Sequence, residues 1–285
     1  MAFFRPRIIF LGLLALILIL LISFPHIELF IEKHSLNSPP PYKRLTDVKG
    51  VSVQPASIEG KIKYPQDYTI VLLGDSMTEK LGNADELRGY LNEYYPDKTF
   101  EVLNYGYGST NILSLMDRIT KHTFHTRDFR PINEILYNLI IIESMGYNPL
   151  SELPLDQGLQ KQNQTLDEIT TELKKGHPDA QIVFLATIAP DRKTYAKTTV
   201  DVSDEERKKW VEERNRYIEN HIQYAKDHSI PVIDLYHASM DANDNGKYIY
   251  IDQTDYIHPS PTGVLYISKG IADFIAKNKL VESNH

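Results

Sequence analysis

Apolar and polar residues alternate in blocks along the chain between residues 66 and 280. Short, continuous apolar runs predict strands that are buried on both faces, because such strands lack the polar alternation of half-exposed ones. Between these runs, apolar residues recur three and four positions apart, which is the spacing of one helix face. The runs predict strands at 69–73, 100–104, 135–142, 181–186 and 230–235, and helices at 83–95, 112–119, 159–175, 203–228 and 261–277. Strands that alternate with helices predict an α/β domain, with a parallel sheet of about five strands covered on both faces.

A longer apolar run, Ile8–Phe24, precedes this domain and contains no charged residue. It lies at the short end of a membrane span, which needs roughly 17–25 residues. A cleaved signal peptide is the alternative, but its apolar core is usually about 7–15 residues long and ends at a small-x-small site, which is missing here. Arg5 and Arg7 precede the run, so the positive-inside rule predicts a cytoplasmic N-terminus and an extracytoplasmic domain. We therefore expect a cytoplasmic N-terminus (1–7), a transmembrane signal anchor (8–24), an extracytoplasmic linker (25–65) and one folded domain (66–285).

The composition excludes several kinds of function. The formal net charge is -7, with both signs mixed along the chain, so nothing indicates the basic face of a nucleic-acid-binding protein. The chain has no cysteine, which excludes disulfides, thiolate metal sites and a cysteine nucleophile.

Four polar clusters directly follow predicted strands or lie in the last loop: Asp75-Ser76, 106–109, 146–148 and 255–258. The carboxyl ends of parallel strands all meet at one edge of a sheet, which is where open α/β sheets bind their ligands. We therefore expect these clusters, which are distant in sequence, to form one site.

The residue types in the clusters are suited to acyl transfer. The hydroxyl of Ser76 becomes an effective nucleophile only when a base takes its proton, and histidine is the usual base. His258 can be that base, and Asp255, three residues earlier, can orient its other ring nitrogen. The backbone N–H of Ser76, a glycine N–H from the loop containing Gly106 and Gly108, and the side-chain amide of Asn148 can bind the oxyanion.

These motifs resemble those of the SGNH hydrolases, also called GDSL-type esterases and lipases. The matching segments are Gly74-Asp75-Ser76, the glycine loop after Asn104, Gly146-Tyr147-Asn148 and Asp255–Ser260, in the family's order, and the resemblance extends from about residue 68 to the C-terminus. It implies a flavodoxin-like three-layer α/β/α fold and ester hydrolysis without a metal or other cofactor. It also implies that Ser76 is the nucleophile, His258 the base, Asp255 its orienting partner and Asn148 an oxyanion donor.

Two positions depart from the family pattern. Pro149 stands where an aspartate usually follows the asparagine, and the second motif is one residue shorter than its commonest form. The shorter motif leaves Gly106 and Gly108 as alternatives for the oxyanion donor, and we choose Gly108. Neither departure removes a catalytic group.

The sequence thus predicts a membrane-anchored serine esterase with a small-molecule or glycan ester as substrate, such as O-acetyl groups on envelope glycans. The alternatives are an O-acyltransferase acting on such glycans and a non-catalytic glycan- or partner-binding domain of the same fold. A separate segment, Asp241–Gly246, matches the beginning of a calcium-binding loop, although such Asn-, Asp- and Gly-rich segments are also common turns.

Overall fold

The computed structural model describes residues 68–281, and its central element is a sheet of five parallel strands. These are β1 (Tyr68–Gly74), β2 (Phe100–Gly106), β5 (Leu139–Glu143), β6 (Gln181–Ala186) and β7 (Val232–Asp234). A separate antiparallel hairpin consists of β3 (Thr123–His125) and β4 (Arg127–Phe129). The order across the sheet is β2-β1-β5-β6-β7, so the predicted parallel sheet of about five strands is confirmed.

Helices cover both faces of this sheet. They are α1 (Ser76–Glu79), α2 (Asp85–Tyr94), α3 (Leu115–Thr120), α4 (Leu155–Gly176), α5 (Asp204–Asp227), α6 (Leu235–Ala238) and α7 (Pro261–Lys277), with short 3-10 turns at Ile112–Ser114, Ile132–Glu134 and Tyr248–Tyr250. Alternate residues of β1 point to opposite faces. Ile70 and Leu72 belong to the core beneath α2 and α7, whereas Val71 and Leu73 belong to the core beneath α3 and α4. The strand is apolar throughout because both of its faces are buried.

The order of the strands creates a crevice beside β1. Among the five sheet strands, the second in the chain lies on one side of β1 and the third, β5, lies on the other. This is the flavodoxin-like order, in which the reversal of direction opens a crevice at the carboxyl ends of the first and third strands. The segments that follow β1 and β5 are those that contain Ser76 and Asn148.

The bounds of several elements differ from those predicted. Helix α7 has the predicted bounds, but β5 begins four residues after the predicted start at 135. The first hydrogen bonds of this segment to β1 are made by Asn138: its Oδ1 accepts from the N–H of Thr69, and its backbone N–H donates to the C=O of Thr69. The predicted helix at 112–119 is divided into a 3-10 turn and α3, and the hairpin β3–β4 was not predicted.

In the part of the chain that the structure describes, no helix is both long and apolar enough to cross a bilayer. The predicted membrane anchor at 8–24, the linker and the domain boundary at 66 lie outside residues 68–281 and stay predictions.

Candidate active site

Ser76 is the first residue of the short helix that directly follows β1. Asp75 caps this helix, because its Oδ1 accepts a hydrogen bond from the backbone N–H of Met77 at 2.8 Å. The N–H of Ser76 has no acceptor within its own helix, since the first N–H groups of a helix never do. Both the hydroxyl and the backbone N–H of Ser76 are thus placed at the carboxyl edge of the sheet.

Asp255 and His258 form a hydrogen-bonded pair in the loop before α7. Nδ1 of His258 lies 2.7 Å from Oδ2 of Asp255, and Oδ1 of Asp255 accepts from the backbone N–H groups of Ile257 and His258 at 2.8 and 3.0 Å. Partial burial raises the pKa of Asp255, but the hydrogen bonds from His258 and from these backbone groups outweigh it, so the pKa lies below its ordinary value. An ionised Asp255 holds the proton of His258 on Nδ1, which leaves Nε2 free to act as a base.

The loop before α5 holds the loop of Asp255 and His258 in place. The N–H of Ala196 donates to the C=O of Tyr256 at 3.2 Å, and the hydroxyl of Thr198 donates to the C=O of Thr254 at 2.6 Å. Tyr256 has a φ of 58°, a left-handed conformation that is unfavourable for a residue with a side chain by roughly 1–2 kcal/mol. Strained residues of this kind persist where the surrounding structure determines their conformation, and they cluster at active sites.

Gly106, the last residue of β2, and Gly108, two residues later, face different parts of the segment that contains Ser76. A Cβ on Gly106 would collide with the backbone of α1, including the N of Glu79 and, at 2.7 Å, the carbonyl carbon of Thr78. A Cβ on Gly108 would lie 3.8 Å from the Cβ of Ser76, and its only close contact would be Oε2 of Glu79 at 2.5 Å. Gly106 therefore allows two backbone segments to pack together, whereas Gly108 lies beside Ser76.

Asn148 lies in the turn after β5 and bonds to Asp75, the residue before Ser76. Its Nδ2 donates to Oδ2 of Asp75 at 2.8 Å. A side-chain amide has two N–H groups, so one remains for a ligand after the other has bound Asp75. The side chains that follow β1 and β5 are therefore joined across the crevice.

The structure thus brings the predicted residues together as two pairs, Asp255–His258 and Asp75–Asn148, with Gly108 beside Ser76. Within residues 68–281, the hydroxyl of Ser76 makes no hydrogen bond, including to the ring of His258. Catalytic hydrogen bonds of this kind often tighten only when substrate is bound. Burial raises the pKa of Asp75, and the charge of His258 is close enough to oppose that rise, so the pairs share one site.

Arg118 of α3 is a charged residue of this region that the sequence analysis missed. It is 1% exposed, and its Nη1 donates to the C=O of Gly74 at 2.5 Å and to the C=O of Tyr105 at 2.9 Å. Burial lowers the pKa of Arg118 to about 10, which still leaves it positively charged at neutral pH. The signal in the sequence was a charged residue on the apolar stripe formed by Leu115 and Ile119.

The segment that resembles a calcium loop is a tight turn. Oδ1 of Asp241 accepts hydrogen bonds from the backbone N–H groups of Asn243 and Asn245 at 2.8 and 3.1 Å. In the described range, no group of three His, Asp or Glu side chains is arranged to hold a metal ion. The Asp, Asn and Gly residues here have the local backbone contacts expected of turn formers.

Comparison with known proteins gives one match at the level of sequence families. The model of the GDSL-like lipase/acylhydrolase family matches residues 72–264, which is more than half of the chain. The match includes Ser76, Gly108, Asn148, Asp255 and His258. No curated protein matches the chain.

Solved structures share the fold at low sequence identity. A lipase/acylhydrolase from Enterococcus faecalis has a TM-score of 0.52 and 16% identity, over 74% of this chain and 96% of its own. A diltiazem-metabolizing enzyme of a gut microbe also has a TM-score of 0.52 and 16% identity, over 73% of this chain and 48% of its own. At these identities the similarity establishes the fold.

Proposed function

The chain belongs to the GDSL-like lipase/acylhydrolase family, and we propose that it is a serine esterase acting through Ser76, His258 and Asp255. Membership of this family supports hydrolysis of the esterase or lipase type. The observation that carries the proposal is the pair formed by His258 and Asp255, at 2.7 Å, in the site that also contains Ser76 and Asn148.

The reaction begins when Nε2 of His258 takes the proton of the Ser76 hydroxyl as its oxygen attacks the ester carbonyl carbon. The negative charge that develops on the carbonyl oxygen is stabilised by the N–H groups of Ser76 and Gly108 and by the free amide N–H of Asn148. His258 then gives its proton to the departing alkoxide, which leaves an acyl-enzyme on Ser76. Water, deprotonated by His258, attacks the acyl-enzyme and releases the acid.

We propose short acyl esters, such as O-acetyl groups on envelope glycans, as the substrate. The support is the predicted location: an anchor at 8–24 preceded by Arg5 and Arg7 would hold the catalytic domain on the outer side of a membrane, where such glycans lie.

The test is hydrolysis of p-nitrophenyl acetate by the 285-residue chain in mild detergent, beside Ser76→Ala. We expect turnover by the unmodified protein and a loss of at least about a thousandfold in kcat in the variant, because no other group can form the acyl-enzyme. Ser151→Ala, which removes an exposed hydroxyl bonded to Glu213, is the matched control and should keep full activity.

Two results would contradict the proposal. Equal turnover by the unmodified protein and Ser76→Ala, or none by either, would exclude a serine esterase. An acyl group that accumulates on Ser76, stays there in water and is released by an added sugar would instead indicate an acyltransferase.

A further inference from the structure

Glu143 is a buried acid beneath the site that the mechanism above does not use. It ends β5 and is 1% exposed, and it lies beside Asp75, which is 0% exposed, at the end of β1. Oε1 of Glu143 accepts a hydrogen bond from the hydroxyl of Ser144 at 2.6 Å, and its Oε2 lies 3.5 Å from the backbone N of Asp75. The carboxyl groups of Glu143 and Asp75 lie within hydrogen-bonding reach of each other.

Two acids this close and this deeply buried cannot both be ionised, because like charges repel and burial disfavours each charge. The positive charge of Arg118, and that of the protonated His258 ring, interact with Asp75. One carboxylate is thereby balanced, and the other acid must hold a proton.

The surroundings show which acid holds it. Asp75 accepts hydrogen bonds from the N–H of Met77 and the amide of Asn148, which favour its charged form. Glu143 accepts from the Ser144 hydroxyl and from the backbone N–H of Met145. Burial, followed by the negative charge of Asp75, raises the pKa of Glu143 well above its ordinary value.

On the premise of the proposed esterase function, we propose that Glu143 is an uncharged positioning residue whose O–H donates to the carboxylate of Asp75. That carboxylate holds one N–H of Asn148 at 2.8 Å and so directs the other N–H towards the oxyanion. Glu143, at the end of β5, thus positions Asp75, and Asp75 in turn positions Asn148. Glu143 touches neither the substrate nor the reacting atoms, and it acts on catalysis through the orientation of Asn148.

This arrangement distinguishes two substitutions of similar size. Glu143→Gln keeps an uncharged donor towards Asp75 and an acceptor for the hydroxyl of Ser144, so it should preserve the orientation of Asn148. Glu143→Leu removes the donor and leaves the carboxylate of Asp75 with one partner fewer. If Glu143 were instead a charged group, both substitutions would remove its charge, and Gln would be no better tolerated than Leu.

The activity experiment measures kcat and KM for p-nitrophenyl acetate in the full chain, beside a thermal melt of each variant. We expect Glu143→Gln to stay within about threefold of the unmodified kcat, and Glu143→Leu to lose about ten- to a hundredfold with KM nearly unchanged, which is less than removal of an oxyanion donor itself costs. Glu134→Leu, which replaces an exposed acid, is the control and should change neither constant. A loss in Glu143→Gln equal to that in Glu143→Leu would overturn the proposal.

A spectroscopic measurement tests the same proposal without any activity. The infrared difference spectrum between the unmodified protein and Glu143→Gln at about pH 7 should contain the C=O band of a protonated carboxylic acid, because ordinary Asp and Glu side chains are ionised at that pH. A carboxylate band in its place would overturn the proposal even if the protein proved inactive. Conversely, turnover that depends on Ser76 would support the esterase function even if Glu143 proved to be ionised.

Discussion

At the level of single residues, substitutions at Gly106 and Gly108 test what each glycine at the end of β2 does. In Gly106→Ala, the added methyl group collides with backbone atoms of Thr78 and Glu79, which cannot move without displacing α1. We expect a loss of about 1–3 kcal/mol in the free energy of unfolding, as for other overpacked sites. Thermal or urea denaturation measures this change.

The matched variant, Gly108→Ala, should have the opposite profile. Its methyl group meets the flexible carboxylate end of Glu79 at 2.5 Å and lies 3.8 Å from the Cβ of Ser76. The free energy of unfolding should change by less than about 0.5 kcal/mol. The value of kcat/KM for an ester should fall about tenfold or more, because a small displacement beside the nucleophile is costly. A stable, active Gly106→Ala beside an unfolded Gly108→Ala would contradict this assignment.

The residues of the site differ in how well the sequence alone predicts them. Asp255 and His258 are three positions apart, so their pairing follows from local geometry, and the loop that holds them forms around the carboxylate of Asp255. Arg118 and Glu143 bond or interact with residues 44 and 68 positions away, respectively. Such contacts depend on which strands become neighbours, and no local pattern of residues specifies that.

At the level of elements, His221 joins α5 to the sheet and makes the stability of the protein depend on pH. The ring is fully buried, stacks on Phe184, and bonds through Nε2 to the C=O of Ile142 in β5 at 3.2 Å. Burial lowers the pKa of His221 to about 3, whereas the unfolded chain has the ordinary value of about 6.5. Between these values the unfolded chain binds a proton that the folded protein does not.

The free energy of unfolding should therefore fall as the pH is lowered from about 6.5 towards 3, by up to about 1.4 kcal/mol per pH unit from this group. His221→Gln keeps a donor for Ile142 but cannot ionise, so its unfolding should depend less on pH over that range. Urea denaturation at a series of pH values measures this difference in pH dependence. The raised pKa of Glu143 makes the folded protein more stable as the pH falls, but this contribution is the same in both proteins and cancels in the comparison. His122→Gln, which replaces an exposed histidine, should keep the unmodified dependence. Equal slopes in the unmodified protein and His221→Gln would contradict the prediction.

Burial explains which elements the sequence predicts well. The residues of β1 and β5 are buried throughout, so their apolar runs are unambiguous, and α7 has both a serine cap and a proline at its first position. The hairpin β3–β4 has strands of three residues each, and Phe124 at its first strand is 74% exposed. A short, mostly polar hairpin has no periodic pattern to recognise, because it forms by packing Phe129 and His125 against Tyr105 and Tyr107.

At the level of the whole molecule, one sheet edge collects the functional groups from four separate segments of the chain. This convergence follows from parallel strands and could be predicted once the alternation of strands and helices was recognised. The crevice itself depends on the strand order β2-β1-β5-β6-β7, which comes from the structure. The strand order therefore explains why the segments that contain Ser76 and Asn148 are neighbours, whereas the sequence indicated only that they lie at the same edge.

If the predicted anchor at 8–24 spans a membrane, it decides on which side of that membrane the site lies. The run Ile8–Phe24 consists mainly of Leu, Ile and Phe, each of which favours insertion by roughly 0.3–0.6 kcal/mol at the centre of a span. The full chain should sediment with membranes, resist extraction by high salt and dissolve in detergent. A variant that lacks residues 1–25 should remain in the supernatant and keep its esterase activity, because every group of the site lies beyond residue 68.

The mass of the full-length product is the control for processing: a shortened, soluble product from the unmodified gene would show that the run is a cleaved signal peptide. If the protein without residues 1–25 still sedimented with membranes, another part of the chain would have to bind them, and the anchor assignment would be wrong.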